Sequence, residues 1–182
     1  IPIDPPPRGW VPIGLPVPAT TDLANFLHVG PDTPTTIRFD KPMWAMPTWD
    51  VRFSFLSKQA YWLTILSPYP RKDFRGYWGI GLALESSGAG SAFRVVLRDS
   101  DGDEWRYHDE VVMWEEGWKA LAIPFEAFKQ DMEQSLGNRK LDLEAGDAVM
   151  VQVVPAKVVP PLRDQEVRFT PPVLLRHEPA RR

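Results

Sequence analysis

Ala92-Phe93-Arg94-Val95-Val96-Leu97-Arg98-Asp99-Ser100-Asp101-Gly102-Asp103-Glu104-Trp105-Arg106-Tyr107-His108 reads as two strands folded back on a short turn. Asp-Gly between two alternating runs is a strong local hairpin signal. Two registers compete. A two-residue turn, Asp101-Gly102, would set Arg98 opposite Trp105 and Val96 opposite Tyr107. A three-residue loop, Ser100-Asp101-Gly102, sets Leu97 opposite Trp105 and Val95 opposite Tyr107, with Gly102 at the left-handed position that ends such loops. Strand side chains alternate with period two, so a slip of one residue exchanges the faces. The longer loop gathers Phe93, Val95, Leu97, Trp105 and Tyr107 on one apolar face. It leaves Arg94, Arg98, Glu104, Arg106 and His108 on the other, with Arg98 near Glu104. Such a cross-strand pair of opposite charges contributes about 0.2–1 kcal/mol. The shorter turn mixes arginine with tryptophan on both faces, so the sequence predicts the three-residue loop.

The same period of two extends through residues 35–176. Thr35–Asp40 is a short strand. In Trp49–Ser57, Trp49, Val51, Phe53 and Phe55 share one face against Asp50, Arg52 and Ser54. Ala60–Leu66 is a strand ended by Ser67-Pro68-Tyr69-Pro70. In Tyr77–Glu85, Trp78, Ile80, Leu82 and Leu84 oppose Tyr77, Gly79, Gly81, Ala83 and Glu85. Glu110–Trp114, Gly117–Phe125 and Asp147–Val154 add further strands, and Gln165–Arg176 closes the series, broken by Pro171-Pro172. One amphipathic helical stretch is predicted at Glu126–Gln134. Short strands separated by turn signals predict an all-β sandwich, a jelly roll with one short helix. Residues 1–34 form a Pro-rich segment that packs on the domain or links to it. Within it Thr21–Leu27 reads as a single helical turn capped by Thr21 or Asp22. Residues 177–182 read as a solvated tail.

Composition narrows the function. The chain has 182 residues, 20 Pro, eight Trp and no Cys, so disulfides, thiol catalysis and cysteine-ligated metals are excluded. A formal net charge of -3 offers no basic footprint for nucleic acid. No apolar run is long enough to span a bilayer as a helix. The chain starts at Ile1 with no visible signal peptide, which reads as a processed protein or a module cut from something longer.

Several segments carry a family pattern in order. They are Asp73-Phe74-Arg75-Gly76-Tyr77-Trp78-Gly79-Ile80-Gly81-Leu82, Phe93–Asp99 with Asp101-Gly102, Gly117-Trp118-Lys119, and Ala122-Ile123-Pro124-Phe125-Glu126-Ala127-Phe128. Over about residues 49–154 this resembles the galactose-binding-like jelly rolls of carbohydrate-binding modules, especially the glucan-binding type. It is also similar to the domain of complex I intermediate-associated proteins. The chain departs from that pattern at Thr170-Pro171-Pro172, where such domains often carry an Asp-Asn pair. The resemblance implies core positions at Trp118, Ile123, Phe125 and Phe128. It also implies a non-catalytic module, extracellular or on the cell surface, covalently attached to a polysaccharide-degrading enzyme or to a surface protein. A structural calcium is a further implication, with ligands the sequence does not locate.

The expected site follows from the hairpin. Arg94, Arg98, Arg106 and His108 would donate hydrogen bonds to sugar hydroxyls, Glu104 would accept, and Tyr77 would stack or donate. If Tyr77–Glu85 joins the same sheet, Gly79, Gly81 and Ala83 would floor a trough. The bland alternative is the solvated side of a sheet. Tyr69, Trp44, Trp49 and Trp114 lie near loops or strand ends as candidate stacking platforms. Asp99–Glu104 is rich in acids like a calcium loop, but its Gly is fourth rather than sixth and strands flank it, so a hairpin turn is expected. His28, His108 and His177 show no metal spacing. Glu85, Glu104, Asp109, Glu110, Glu115 and Glu116 would be the carboxylates for a lyase or hydrolase of this fold, and no enzyme motif accompanies them. A protein-interaction or assembly domain of the same fold is the other alternative.

Overall fold

The computed structural model describes residues 10–12, 27–29, 33–43, 46–56, 63–86, 91–107, 111–112, 117–131, 137–155 and 161–176. Among these residues, fourteen strands form two seven-stranded sheets. In chain order they are β1 (Trp10–Pro12), β2 (Leu27–Val29), β3 (Thr35–Met43), β4 (Met46–Phe55), β5 (Leu63–Lys72), β6 (Gly79–Ser86) and β7 (Ser91–Asp99). There follow β8 (Glu104–Tyr107), β9 (Val111–Val112), β10 (Trp118–Pro124), β11 (Phe128–Gln130), β12 (Gly146–Pro155), β13 (Leu162–Phe169) and β14 (Val173–Leu175).

The first sheet runs β1-β14-β6-β13-β4-β3, with β10 on the other edge of β6. The second runs β11-β8-β7-β12-β5-β2, with β9 also on β7. Alternation explains the core between them. Val51, Phe53, Phe55, Ile80, Leu82 and Leu84 of the first sheet meet Phe93, Val95, Leu97, Val149, Val151 and Val153 of the second, all buried. Phe74 and Phe125, from connections, stack at 5.9 Å and complete the cluster. Each such side chain contributes about 1.5–3 kcal/mol of burial.

The expected all-β sandwich is present; the expected helix is not. Residues 125–127 make one 3-10 turn, and Phe128–Gln130 then joins the second sheet opposite Tyr107–Trp105. Burial of Phe128 and pairing to β8 override the helical propensity of the stretch. Residues 132–136 lie outside the described residues, as do 21–26 of the expected N-terminal turn and the tail 177–182. Leu27, its last residue, belongs to β2. The two N-terminal pieces that are described pair one to each sheet, β1 with β14 and β2 with β5.

Two proline-containing segments behave differently from one another. Ser67-Pro68-Tyr69-Pro70 was expected to end its strand, yet β5 runs on to Lys72. Among the described residues, β2 pairs only with Leu63–Ile65 and no other strand joins that side of β5 further on, where missing N–H groups are tolerated. Pro171-Pro172 does break its strand. β13 and β14 lie along the same edge of β6, and residues 170–172 oppose only Ala83 and Leu82, a bulge. Thr170 repairs the ladder there. The Ala83 N–H donates to its Oγ1 at 2.9 Å, and its own N–H donates to the Ala83 carbonyl at 3.0 Å.

Thr170 is fully buried. Thr170→Val strands the Ala83 donor and is expected to lower stability by about 1–3 kcal/mol in urea denaturation. Thr170→Ser, which keeps the hydroxyl, should retain most of that.

Candidate functional site

The decisive turn closes as a three-residue loop. Asp99 N–H donates to the Asp103 carbonyl at 3.2 Å, and Gly102 N–H to the Asp99 carbonyl at 3.2 Å. Gly102 takes φ +90, open to glycine and strained for other residues. The register is Leu97 with Trp105, Arg98 with Glu104 and Val96 with Arg106, the arrangement predicted. Phe93, Val95 and Leu97 therefore point inward, with Trp105 and Tyr107 packed half-buried against the core.

Arg94, Arg98, Glu104 and Arg106 share the outer face of the second sheet, each only partly exposed. The register adds neighbours the sequence reading missed. Gln152 of β12 stands opposite Arg94, and Lys129 of β11 opposite Arg106. Ala92, Val96, Ala148, Met150 and Val154 occupy the same face and are buried, giving it an apolar floor. This is not the plain solvated side of a sheet. A lone Gln between Val151 and Val153 was the available signal for β12.

Two carboxylates hold the arginines. The register shifts between Gly146 and Ala148, and that bulge brings Asp147 to Arg98, whose Nε and Nη2 both donate to its Oδ2, at 2.9 and 2.7 Å. Arg106 donates through Nη2 to Asp131, but its Nε is buried and without an acceptor. Burial pushes the Glu104 carboxyl above its usual range, with the Arg98 charge opposing.

The remaining expected residues lie elsewhere. β6 belongs to the first sheet, so Gly79, Gly81 and Ala83 do not floor the arginine face. Gly79 serves close approach instead, since a Cβ there would lie 2.1 Å from the Ile123 carbonyl oxygen of β10. Tyr77 stands just before β6 and packs against the core cluster. Trp49 is core and stacks on Phe169 at 6.2 Å. Ile123, Phe125 and Phe128 are core, but Trp118 faces out beneath the Arg168 guanidinium, 5.8 Å from the ring centroid. His108, His177, Trp44, Trp114, Asp109, Glu110, Glu115 and Glu116 lie outside the described residues, as do the side chains of His28 and Tyr69.

The outer face of the first sheet has another character. Glu85, Arg168 and Asp50 form one cross-strand row, with Glu85 paired to Arg168. Glu166 pairs with Arg52 at 3.2 Å in the next row. Opposite charges alternate there at ion-pair distance, while Asp50 Oδ1 and Glu85 Oε2 are buried without a hydrogen-bond partner among the described residues. Glu85 and Glu104 fall on different sheets and do not form a catalytic pair. Among the described residues, one group of carboxylates is spaced to hold a cation: Asp99, Asp101 and Asp103 in the hairpin loop.

No family model and no curated protein matches the sequence. Solved structures do match the fold. The family 11 carbohydrate-binding module of cellulosomal cellulase Lic26A-Cel5E of Clostridium thermocellum aligns with a TM-score of 0.61 at 14% identity, covering 82% of this chain and 85% of that one. The family 11 module from Clostridium thermocellum in complex with a beta-1,3-1,4-mixed-linked tetrasaccharide aligns at 0.61 and 15% identity, over 82% and 86%. A family 30 module aligns at 0.56 and 13% identity, over 86% and 84%. The chain has the fold of these carbohydrate-binding modules. The module fold also aligns with part of an agarase, at a TM-score of 0.52 and 8% identity, over 81% of this chain and 24% of that one. The likeness to the complex I intermediate-associated domain rests on the sequence pattern alone.

Arg98 and Asp147 are each about one-third exposed in their pair, 33% and 34%. A double-mutant cycle of Arg98→Ala and Asp147→Ala is expected to give a coupling of at most about 1 kcal/mol by urea denaturation. A coupling that small would mean that the pair is not needed for the fold.

Proposed function

We propose that this chain is a non-catalytic carbohydrate-binding module that holds a polysaccharide or oligosaccharide on the outer face of the second sheet. The observation that carries the reading is Arg106. It is part-exposed at 34%, stands on the outer face beside Val96 and is steadied there by Asp131. Sugars match such a face: hydroxyls accept from guanidinium groups and donate to carboxylates. Arg98 and Arg106 donate to the ligand, Arg94 and Gln152 extend the row, and Glu104 accepts. His108 remains part of the proposal from sequence position alone. Tyr77 is left out because it packs ahead of the other sheet. The family 11 complex with a tetrasaccharide supports this ligand class. The cellulase and agarase parentage of the aligned structures supports a covalent link to a polysaccharide-degrading enzyme acting outside the cell.

Affinity electrophoresis through gels containing mixed-linked glucan, other β-glucans or agarose tests this. The wild-type chain should be retarded by at least one polysaccharide. Arg98→Ala and Arg106→Ala should each weaken binding about tenfold or more, the loss of one charge-assisted hydrogen bond. Arg52→Ala, on the other sheet, should leave it unchanged. Retardation equal to wild type in both hairpin variants would remove the proposed face. Retardation by no polysaccharide would favour an assembly domain. Release of reducing sugar would make the chain an enzyme.

A further inference from the structure

The outer face of the first sheet carries a groove where β3, β4 and β13 run side by side. It measures about 660 Å³, within the roughly 300–1,000 Å³ of small-molecule sites. Thr36, Arg52 and Glu166 form one cross-strand row of its lining. Ser54, Asp164 and Gln165 line it one step further along the strands. A bulge shapes that end. β13 shifts register between Leu162 and Gln165, so Arg163 and Asp164 together oppose Ser54. Asp164 takes φ 50, a left-handed backbone, and its N–H donates to Ser54 Oγ at 3.1 Å. Bulges re-aim side chains next to functional sites, and residues held in such backbone cluster at ligand clamps.

The groups that face the groove are mixed in kind. Arg52 is 55% exposed and approaches Glu166 at 3.2 Å and Asp50 at 4.0 Å, each through Nε. A guanidinium carries further N–H donors on its outer fork. Ser54 Oγ accepts from Asp164 and keeps its own O–H to donate. Gln165 Nε2 donates to the Arg163 carbonyl at 2.7 Å, which leaves Oε1 as an acceptor. Thr36 adds an exposed hydroxyl and Asp164 an exposed carboxylate. Arg52 offsets the charge of Glu166, so the charge left over in the lining is the negative one of Asp164.

We propose that this groove binds a small, uncharged, polyhydroxylated ligand, a mono- or disaccharide, as a second saccharide site on the sheet opposite the arginine face. Hydroxyls both donate and accept, which suits a lining of guanidinium, hydroxyl, amide carbonyl and carboxylate groups. The Asp164 carboxylate disfavours an anionic ligand. An apolar ligand would strip water from these groups without replacing its hydrogen bonds. Three strands about 4.8 Å apart give a floor about 10 Å wide, room for one or two sugar units. The exposed partners make the site weak, with a dissociation constant on the order of 1 mM or above. A site so short and weak adds nothing measurable to retardation by long polysaccharides, which is why Arg52→Ala leaves that retardation unchanged. The site is independent of the arginine face, because it shares no residue with it.

The full chain is titrated with glucose, galactose and cellobiose, each to about 50 mM, and followed by amide shifts in two-dimensional NMR. At least one of these sugars should shift the amides of residues 35–36, 52–54 and 164–166. Asp164→Gly removes the carboxylate and suits the φ of 50, and Arg52→Ala removes the donors; both positions are exposed and the variants should fold. Each should weaken sugar binding at the groove about fivefold or more, the loss of one hydrogen bond. Arg98→Ala and Arg106→Ala should leave the groove shifts as they are. Gel retardation can therefore fail while the groove still binds, and the reverse, so the two faces are tested separately. Sugar shifts confined to β7, β8 and β12, wild-type affinity in both groove variants, or no groove shift with any of the three sugars would overturn the site.

Discussion

The closure of the β7–β8 loop by Gly102 and the Asp99–Asp103 backbone bond fixes which side chains can face what. Because strand side chains alternate, one backbone decision at φ +90 orders both faces of the hairpin at once. Leu97 and Val95 go to the core, and Arg98, Arg94 and Arg106 go outside. β12 then pairs along the whole of β7, so its own alternation is locked to the same frame. The core, the arginine face and the acidic loop all follow from that register.

The two outer faces show what such a frame can be used for. On the first sheet, Glu85, Arg168, Glu166 and Arg52 neutralise each other at ion-pair distance. On the second, Asp147 and Asp131 hold Arg98 and Arg106 above buried Val96 and Met150. Arginines steadied in this way are pre-ordered donors, which lowers the entropy lost when a ligand is bound.

Much of this was legible in the sequence because it is local. The Asp-Gly turn, the alternation in Trp49–Phe55 and the apolar run of β12 each carry their own period, and the structure keeps all three. What escaped reading depends on partners distant in the chain. Phe128–Gln130 has a helical composition but finds β8 and becomes a strand. Pro68 and Pro70 look like terminators, but β5 runs through them, paired to β12 on one side and with no strand on the other among the described residues. Tyr77 and the glycines of β6 fit a trough only if β6 sits beside the hairpin, and sheet membership is not encoded in a strand's own pattern. Asp147 reaches Arg98 through a bulge, and Asp131 reaches Arg106 across 25 positions, so neither partner has a sequence signature.

Cross-strand Hα–Hα contacts measured by NMR test the register most directly. The Asp99–Asp103 hydrogen bond makes Arg98–Glu104 and Val96–Arg106 the non-hydrogen-bonded pairs, whose Hα atoms lie closest. Strong contacts within those two pairs are predicted. Contacts joining Arg98 to Trp105 or Val96 to Tyr107 instead would mean a slipped strand, with guanidinium groups and indole exchanged between core and surface, and would contradict the account.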